Sequence, residues 1–306
     1  MACVMMWLLP MVSQAAITPS MPTNGDGTSS NPYQISTAAE LYWYAALVNG
    51  TLTDGTAQNP AACAKLTANI TVNSGVLNAD GTLSANSSGF TQWDPIGVYE
   101  SEEKMYTGTF DGNGKTISGL YVNDAEKYNV GLFGLINGTV KNVGVVDSYF
   151  NGYQNVGGVC GFNQMGIIVN CYHLGTVVGN QFVGGINGYN RYAIIANCYY
   201  SGSVSITGSN ASFAGGVGGI LDFGKIENCY FNKDKCSENI SGYIESDGSS
   251  SYMGKTTAQF QSGEIAYLLS KGCTVSDRID NVSGAVNLKG GFFDGSEWGQ
   301  SLGTDT

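Results

Sequence analysis

The feature that most constrains this chain is a repeat written in two phased markers. Asn-Cys-Tyr begins at Asn170, Asn197 and Asn228, at intervals of 27 and 31 residues. A second marker, Val-Gly-Gly or a relative of it, begins at Val130, Val156, Val183 and Ala214. From that marker to the next Asn the chain takes 14 residues in the last three units and 12 in the first, where Asn142 of Lys-Asn-Val-Gly stands in the Asn slot. A unit of this length is too short to bury its own apolar face, so copies must stack on one another. The units are rich in Gly, β-branched and aromatic residues, which disfavours helical repeats. The Leu frame of leucine-rich repeats is missing. What is left is an all-β fold, a parallel β-solenoid with one coil per unit of about 27 residues and coils about 4.8 Å apart.

Aligned on the Cys slot, the repeats separate an inside from an outside. Three residues before it stand Ile117, Val140, Ile168, Ile195 and Ile226. In the slot itself stand Leu120, Val143, Cys171, Cys198 and Cys229, and two residues on come Val122, Val145, His173, Tyr200 and Phe231. These rows are expected to face the core. Ser118, Lys141, Val169, Ala196 and Glu227 form a row expected to face outward. The odd step between the inward rows breaks strict alternation, so the chain must turn at the Asn, a residue that tolerates turn geometry and can bond its stacked neighbours. Gly119 takes the Asn slot of the first unit in this alignment. The Gly pairs suit a second corner that needs positive φ or close backbone approach.

The slot just after the Cys holds Tyr121, Gly144, Tyr172, Tyr199 and Tyr230. These tyrosines are the candidate binding residues. Two readings stand: an exposed platform for sugar rings or a protein partner, and an aromatic ladder that stabilises the stack.

The ends of a solenoid need covers. Thr37-Ala-Ala-Glu40 is a capping box opening a helix, with Leu41, Tyr44, Ala45 and Val48 on one face and Gly50 as its stop. At the other end Thr256 to Gly272 reads as one or two short helices, with Ile265, Leu268 and Leu269 on a face. The organisation expected is a signal segment at 1–15, a capping segment with one helix and leading strands at 16–109, coils at 110–232, a polar loop at 233–255 and a C-terminal cap at 256–306, possible truncation included. The signal reading rests on the apolar run Ala2 to Val12 followed by Ser13-Gln14-Ala15, although no Lys or Arg precedes the run. A buried first strand is the alternative.

Composition excludes several functions. The net charge of −11 opposes a nucleic-acid or anionic-lipid partner. No apolar stretch is long enough to span a bilayer as a helix. Between Asn129 and Leu221 the only charged residues are Lys141, Asp147 and Arg191, so these coils cannot supply the two carboxylates of a glycosidase. His173, the single His, sits in an inward row and reads as core. Asp111, Asp124, Glu126, Glu100, Glu102 and Glu103 read as a solvated acidic cluster, with a calcium site as the alternative. Asp-Gly-Asn-Gly reads as a tight turn. Eight Cys without a C-x-x-C, seven of them beyond the signal, fit buried free thiols better than a disulfide framework; a Cys229–Cys236 bridge is the alternative. No catalytic residue, metal or cofactor is expected.

Two strings carry a family resemblance. Phe110-Asp-Gly-Asn-Gly-Lys-Thr-Ile117 and Gly131-Leu-Phe-Gly134, followed by the Gly-Gly and Asn-Cys-Tyr repeats, resemble a GLUG-motif region. The segment from Gly25 to Gly50 and the trailing Gln259 to Gly272 resemble the flanks of the same architecture. The resemblance implies a right-handed parallel β-helix in a secreted or surface-exposed bacterial protein, adhesin-like; joined with the scarce charges and the Tyr row, it gives the expectation of a non-enzymatic module with a glycan or an extracellular or host protein as ligand. A structural spacer in a larger surface protein is the first alternative and a polysaccharide-active enzyme the second. Some members of that family belong to immunoglobulin A peptidases. This chain has no H-E-x-x-H, so that activity does not carry over.

Overall fold

Asn142, Asn170, Asn197 and Asn228 all adopt the left-handed conformation, with φ between 49° and 56°. This is the turn the repeat demands. In a computed structural model, which describes residues 17–98, 105–207, 212–236, 241–245, 251–275 and 291–293, the chain winds into a parallel β-solenoid of about seven turns. The signal segment, Glu100, Glu102, Glu103 and the last residues lie outside the described residues.

The Asn side chains tie the corner together along the axis. Asn170 Nδ2 donates to Asn142 Oδ1 at 3.1 Å and Asn228 Nδ2 to Asn197 Oδ1 at 2.9 Å. Asp111 ends the ladder: its Oδ1 accepts from Asn142 Nδ2 at 3.0 Å. The later coils have two further corners. One falls at Asn129, Asn155, Phe182 and Phe213, the other at Met165, Tyr192 and Phe223, all with positive φ. An aromatic residue in this region costs about 1–2 kcal/mol. Ring stacking between coils helps offset it, at 5.8 Å for Phe182 on Phe213 and 5.6 Å for Tyr192 on Phe223.

The Gly pairs do not take positive φ; close approach is their reason. A Cβ on Gly158 would lie 2.0 Å from the His173 ring, one on Gly185 2.3 Å from the Tyr200 ring, and one on Gly216 2.4 Å from the Phe231 ring. In the preceding coil the volumes are exchanged. Leu132 occupies the Gly158 slot, its N–H bonding the Gly158 carbonyl, and Val145 pairs with His173. The interior is thus filled by complementary sizes at two slots, as dense packing requires.

The inward rows are confirmed from the second coil onward and corrected in the first. Phe110, Val140, Ile168, Ile195 and Ile226 lie in register and are fully buried. Cys171, Cys198 and Cys229 follow, also fully buried. Ile117, however, pairs with Val145, and Tyr121 with Tyr149. The Asp-Gly-Asn-Gly turn shifts the register between Asp111 and Lys115, and Asn113, with φ 53°, sits at this corner in place of Gly119. Gly119 instead packs against the Asn73 backbone.

The solenoid also begins earlier than Phe110. Tyr33–Ile35 pairs in parallel with Ala64–Leu66, which pairs with the strand Thr109–Ser118. Between the first two strands runs α1, Ala38–Asn49. Its capping box is formed and Gly50 ends it in the left-handed conformation. Leu41, Tyr44, Ala45 and Val48 are buried, and so are Trp43 and Leu47, because the helix is covered on more than one side. At the far end, 233–255 is not simply a loop: Ser241–Glu245 and Ser251–Lys255 add strands to the two main sheets. Then come α2, Thr257–Gln261, and α3, Glu264–Leu269. Ile265 and Leu269 of α3 pack with Tyr230.

The outward row at Val169 and Ala196 is not exposed. With Ile194 these residues form a small apolar cluster on the outside of the coils, against which Cys273 packs. Cys273–Val275 pairs antiparallel with Gly291–Phe293. Cys273 is thereby held against the outer face of the coils.

Candidate functional site

The tyrosine row is the first candidate, and the structure rearranges it. Gly144, Tyr172, Tyr199 and Tyr230 lie in one column. Tyr121 does not: it is buried and packs on Tyr149 at 6.2 Å. Tyr230 is also buried, with Ile265 and Leu269 against it, and its hydroxyl donates to Asn228 Oδ1 at 2.7 Å. Tyr172 and Tyr199 are half-buried and stack at 4.9 Å with planes 1° apart. Phe260 of α2 approaches Tyr199 at 5.7 Å. The faces of Tyr172 and Tyr199 that a sugar would need pack on neighbouring rings, which favours the ladder reading.

The three charges of the central coils each have a structural task. Lys141 pairs with Asp111 at 3.3 Å and Arg191 with Asp222 at 3.2 Å. Asp222 Oδ2 also accepts from the Tyr189 hydroxyl at 2.7 Å. Asp147 accepts backbone N–H groups from Gly75, Val76 and Leu77 at 2.9, 3.2 and 2.9 Å. His173 is fully buried between Ser148 and the Gly185 carbonyl, each 2.8 Å away. A carbonyl can only accept, so Nδ1 carries the proton and Nε2 accepts from Ser148 Oγ. Burial lowers the His173 pKa to about 4, which keeps the ring neutral near pH 7. This Ser–His pair has no access to solvent.

All the described thiols except the half-buried Cys273 are likewise enclosed. All seven described cysteines are free, Cys229 and Cys236 included. Cys171, Cys198 and Cys229 donate weakly to the carbonyls of Val169, Ala196 and Glu227, two residues back across the Asn corner, at 3.2, 3.1 and 3.2 Å. Burial raises the Cys171 and Cys198 pKa values well above the ordinary thiol range, so neither is a ready nucleophile.

The second candidate was not read from the sequence. Residues 76–84 form a hairpin whose tip closes with Asn78 N–H to the Thr82 carbonyl at 2.8 Å. Asp80 Oδ1 accepts from the Thr82 N–H and hydroxyl at 3.0 and 2.6 Å. Asp147 holds the hairpin at its base. At its tip the Thr176 hydroxyl donates to the Gly81 carbonyl at 2.6 Å, across 95 residues of sequence. Between the hairpin and the coils lies a groove of about 420 Å³. Thr176 and Ser203 lie along the coil wall, Leu77 and Asp80 belong to the hairpin, and Asp234 and Lys235 come from the turn after the coil strand Lys225–Asn232. Asp234 is itself positioned, since Oδ2 accepts the Thr257 N–H at 2.7 Å. The signal for the hairpin was present in Asn78-Ala-Asp-Gly81, a turn sequence between Leu77 and Leu83. What no local pattern disclosed was where the hairpin lands.

The fold and these surfaces define a class: a parallel β-solenoid with a strapped polar groove and an internal aromatic ladder. No protein-family profile matches the chain. Over 158 residues, 51% of this chain, it is 32% identical to halomucin of Haloquadratum walsbyi, of which the match is 2%. Over 155 residues, 49% of this chain, it is 30% identical to a protein of Evansella cellulosilytica provisionally named a Gly-rich membrane protein, of which the match is 15%. The chain thus spans a small part of the length of both relatives. A solved structure from Bacteroides ovatus, provisionally named an immunoglobulin A1 protease, resembles 76% of this chain and 66% of its own, at 23% identity and a TM-score of 0.49. No helix among the described residues is long and apolar enough to cross a membrane.

Proposed function

We propose that the chain is an exported bacterial surface β-solenoid that works by binding rather than catalysis, an adhesin-like module for glycan or protein ligands. The observation that carries this reading is the employment of the central charges. Lys141, Asp147 and Arg191 all hold the fold together. His173 is buried and neutral. The polar groove between the 76–84 hairpin and the coils, lined by Thr176, Ser203, Asp80 and Asp234, suits recognition. Export is supported by the apolar leader expected at residues 1–15 and by the names of the two relatives, halomucin and a provisionally named Gly-rich membrane protein. The resemblance to GLUG-motif regions points the same way.

The test is a screen of the purified protein against arrays of glycans and extracellular-matrix proteins, together with surface labelling of intact cells. Saturable binding and labelling are expected. Release of products from polysaccharide or peptide substrates would contradict the non-catalytic reading. A second reading, a spacer within a larger surface protein, is favoured by the small share of each relative that matches. It predicts that replacing the solenoid with an unrelated rod of equal length preserves cell attachment.

A further inference from the structure

We propose that the groove beneath the 76–84 hairpin binds a segment of uncharged or amino-bearing glycan. This inference rests on the adhesive reading above and gives it a place and a ligand class. The groove is preformed. Asp147 fixes the base of the hairpin through three backbone N–H groups, and Thr176 fixes its tip. Its volume of about 420 Å³ lies within the common range of small-ligand sites, about 300–1,000 Å³.

The lining selects the ligand. Along one outward column the residues run Tyr121, Tyr149, Thr176, Ser203. The column changes from bulky rings to small hydroxyls where the hairpin crosses it, and that change opens the space. The Ser203 hydroxyl can donate and accept, the Thr176 hydroxyl can still accept, and the carboxylates of Asp80 and Asp234 in the lining accept strongly. This is a surface for sugar hydroxyls and for N–H groups. Lys235 is the one cation of the lining, so two acids oppose uronates, sulfated sugars and nucleic acids. The Thr176 strand is paired on both sides, with Tyr149 and Ser203, so a peptide cannot add to it as a strand.

The experiment measures binding of the full chain to an array of neutral, amino-bearing and anionic oligosaccharides and matrix proteins. The variants are Ser203→Tyr, the double change Asp80→Asn with Asp234→Asn, and Ser205→Tyr as control. Tyr149 already occupies the same column, so a Tyr at position 203 extends an existing row rather than entering the core. Ser205 is exposed on the same strand and does not line the groove. The proposal expects binding to neutral or amino-bearing sugars. Ser203→Tyr should weaken it at least tenfold and the double variant severalfold, with Ser205→Tyr at wild-type affinity and all variants retaining the wild-type melting transition. Glycan binding untouched by both groove changes would overturn the proposal and leave the adhesive reading standing. Binding only to proteins or to anionic sugars would do the same. No binding to any probe would overturn both.

Discussion

The Asp147 carboxylate accepts the backbone N–H of Leu77 at 2.9 Å, across 70 residues of sequence. Its other oxygen takes the N–H groups of Gly75 and Val76. The one acid of the central coils is thus the anchor of a hairpin that crosses the coils and bounds the groove. Asp147 also holds φ 45°, a conformation Asn tolerates equally well. Asp147→Asn therefore isolates the acceptor role, since its amide nitrogen cannot accept. We expect a loss of about 1–2 kcal/mol and faster amide exchange across 75–84, with the coil amides unchanged. Uniform exchange changes, or none, would show that the hairpin is held otherwise.

His173 makes stability depend on pH. Its folded pKa of about 4 lies below the ordinary 6.5. Between these values the unfolded chain binds a proton that the folded chain refuses, so stability falls as pH falls from about 6.5 toward 4, and the contribution is fully present above that window. The shift corresponds to about 3 kcal/mol by pH 4. Denaturant titrations of wild type and His173→Gln should converge in pH dependence above 6.5 and diverge below it. Parallel curves would contradict the buried neutral ring.

The Asn corner separates two effects. Asn197 needs φ 51°, which Gly adopts freely and Ala does not. Asn197 Oδ1 also accepts from Asn228. Asn197→Gly loses the side-chain hydrogen bonding of the corner, about 1 kcal/mol per bond, without backbone strain, whereas Asn197→Ala adds about 1–2 kcal/mol of strain to that loss. Chemical denaturation of the two variants measures the difference. Equal losses would mean the corner is not left-handed.

Thiol labelling reads the depth of the Cys column. Cys171, Cys198 and Cys229 should react only through global unfolding, whereas Cys273, half-buried and pushed up to about 11 by burial and by Glu227, should react slowly in the folded protein. Mass spectrometry after timed alkylation identifies the order. Early labelling of Cys198 would place that row at the surface.

The parts of this fold legible in the sequence are those governed by local periodicity. The Asn turn, the apolar rows and the capping box of α1 each depend on residues a few positions apart, and stacking repeats them. The misplacement of Tyr121 came from Asp-Gly-Asn-Gly, whose extra residues shift the first coil by an amount that spacing alone does not reveal. The strands at Tyr33 and Ala64 lack the repeat markers, since α1 stands between the two and an irregular stretch with the 76–84 hairpin lies between Ala64 and Thr109. Cys273 packs against Val169 and Ala196, and the groove depends on where the 76–84 hairpin lands. Both are contacts between distant parts of the chain, and no periodic signal marks them.

The stacking of the coils underlies every one of these arguments, and sulfur itself can report on it. An anomalous difference map from a crystal of this protein should show the Sγ atoms of Cys171, Cys198 and Cys229 in a straight row inside the solenoid, spaced about 4.8 Å apart. Peaks scattered through the molecule, or lying at its surface, would contradict the account.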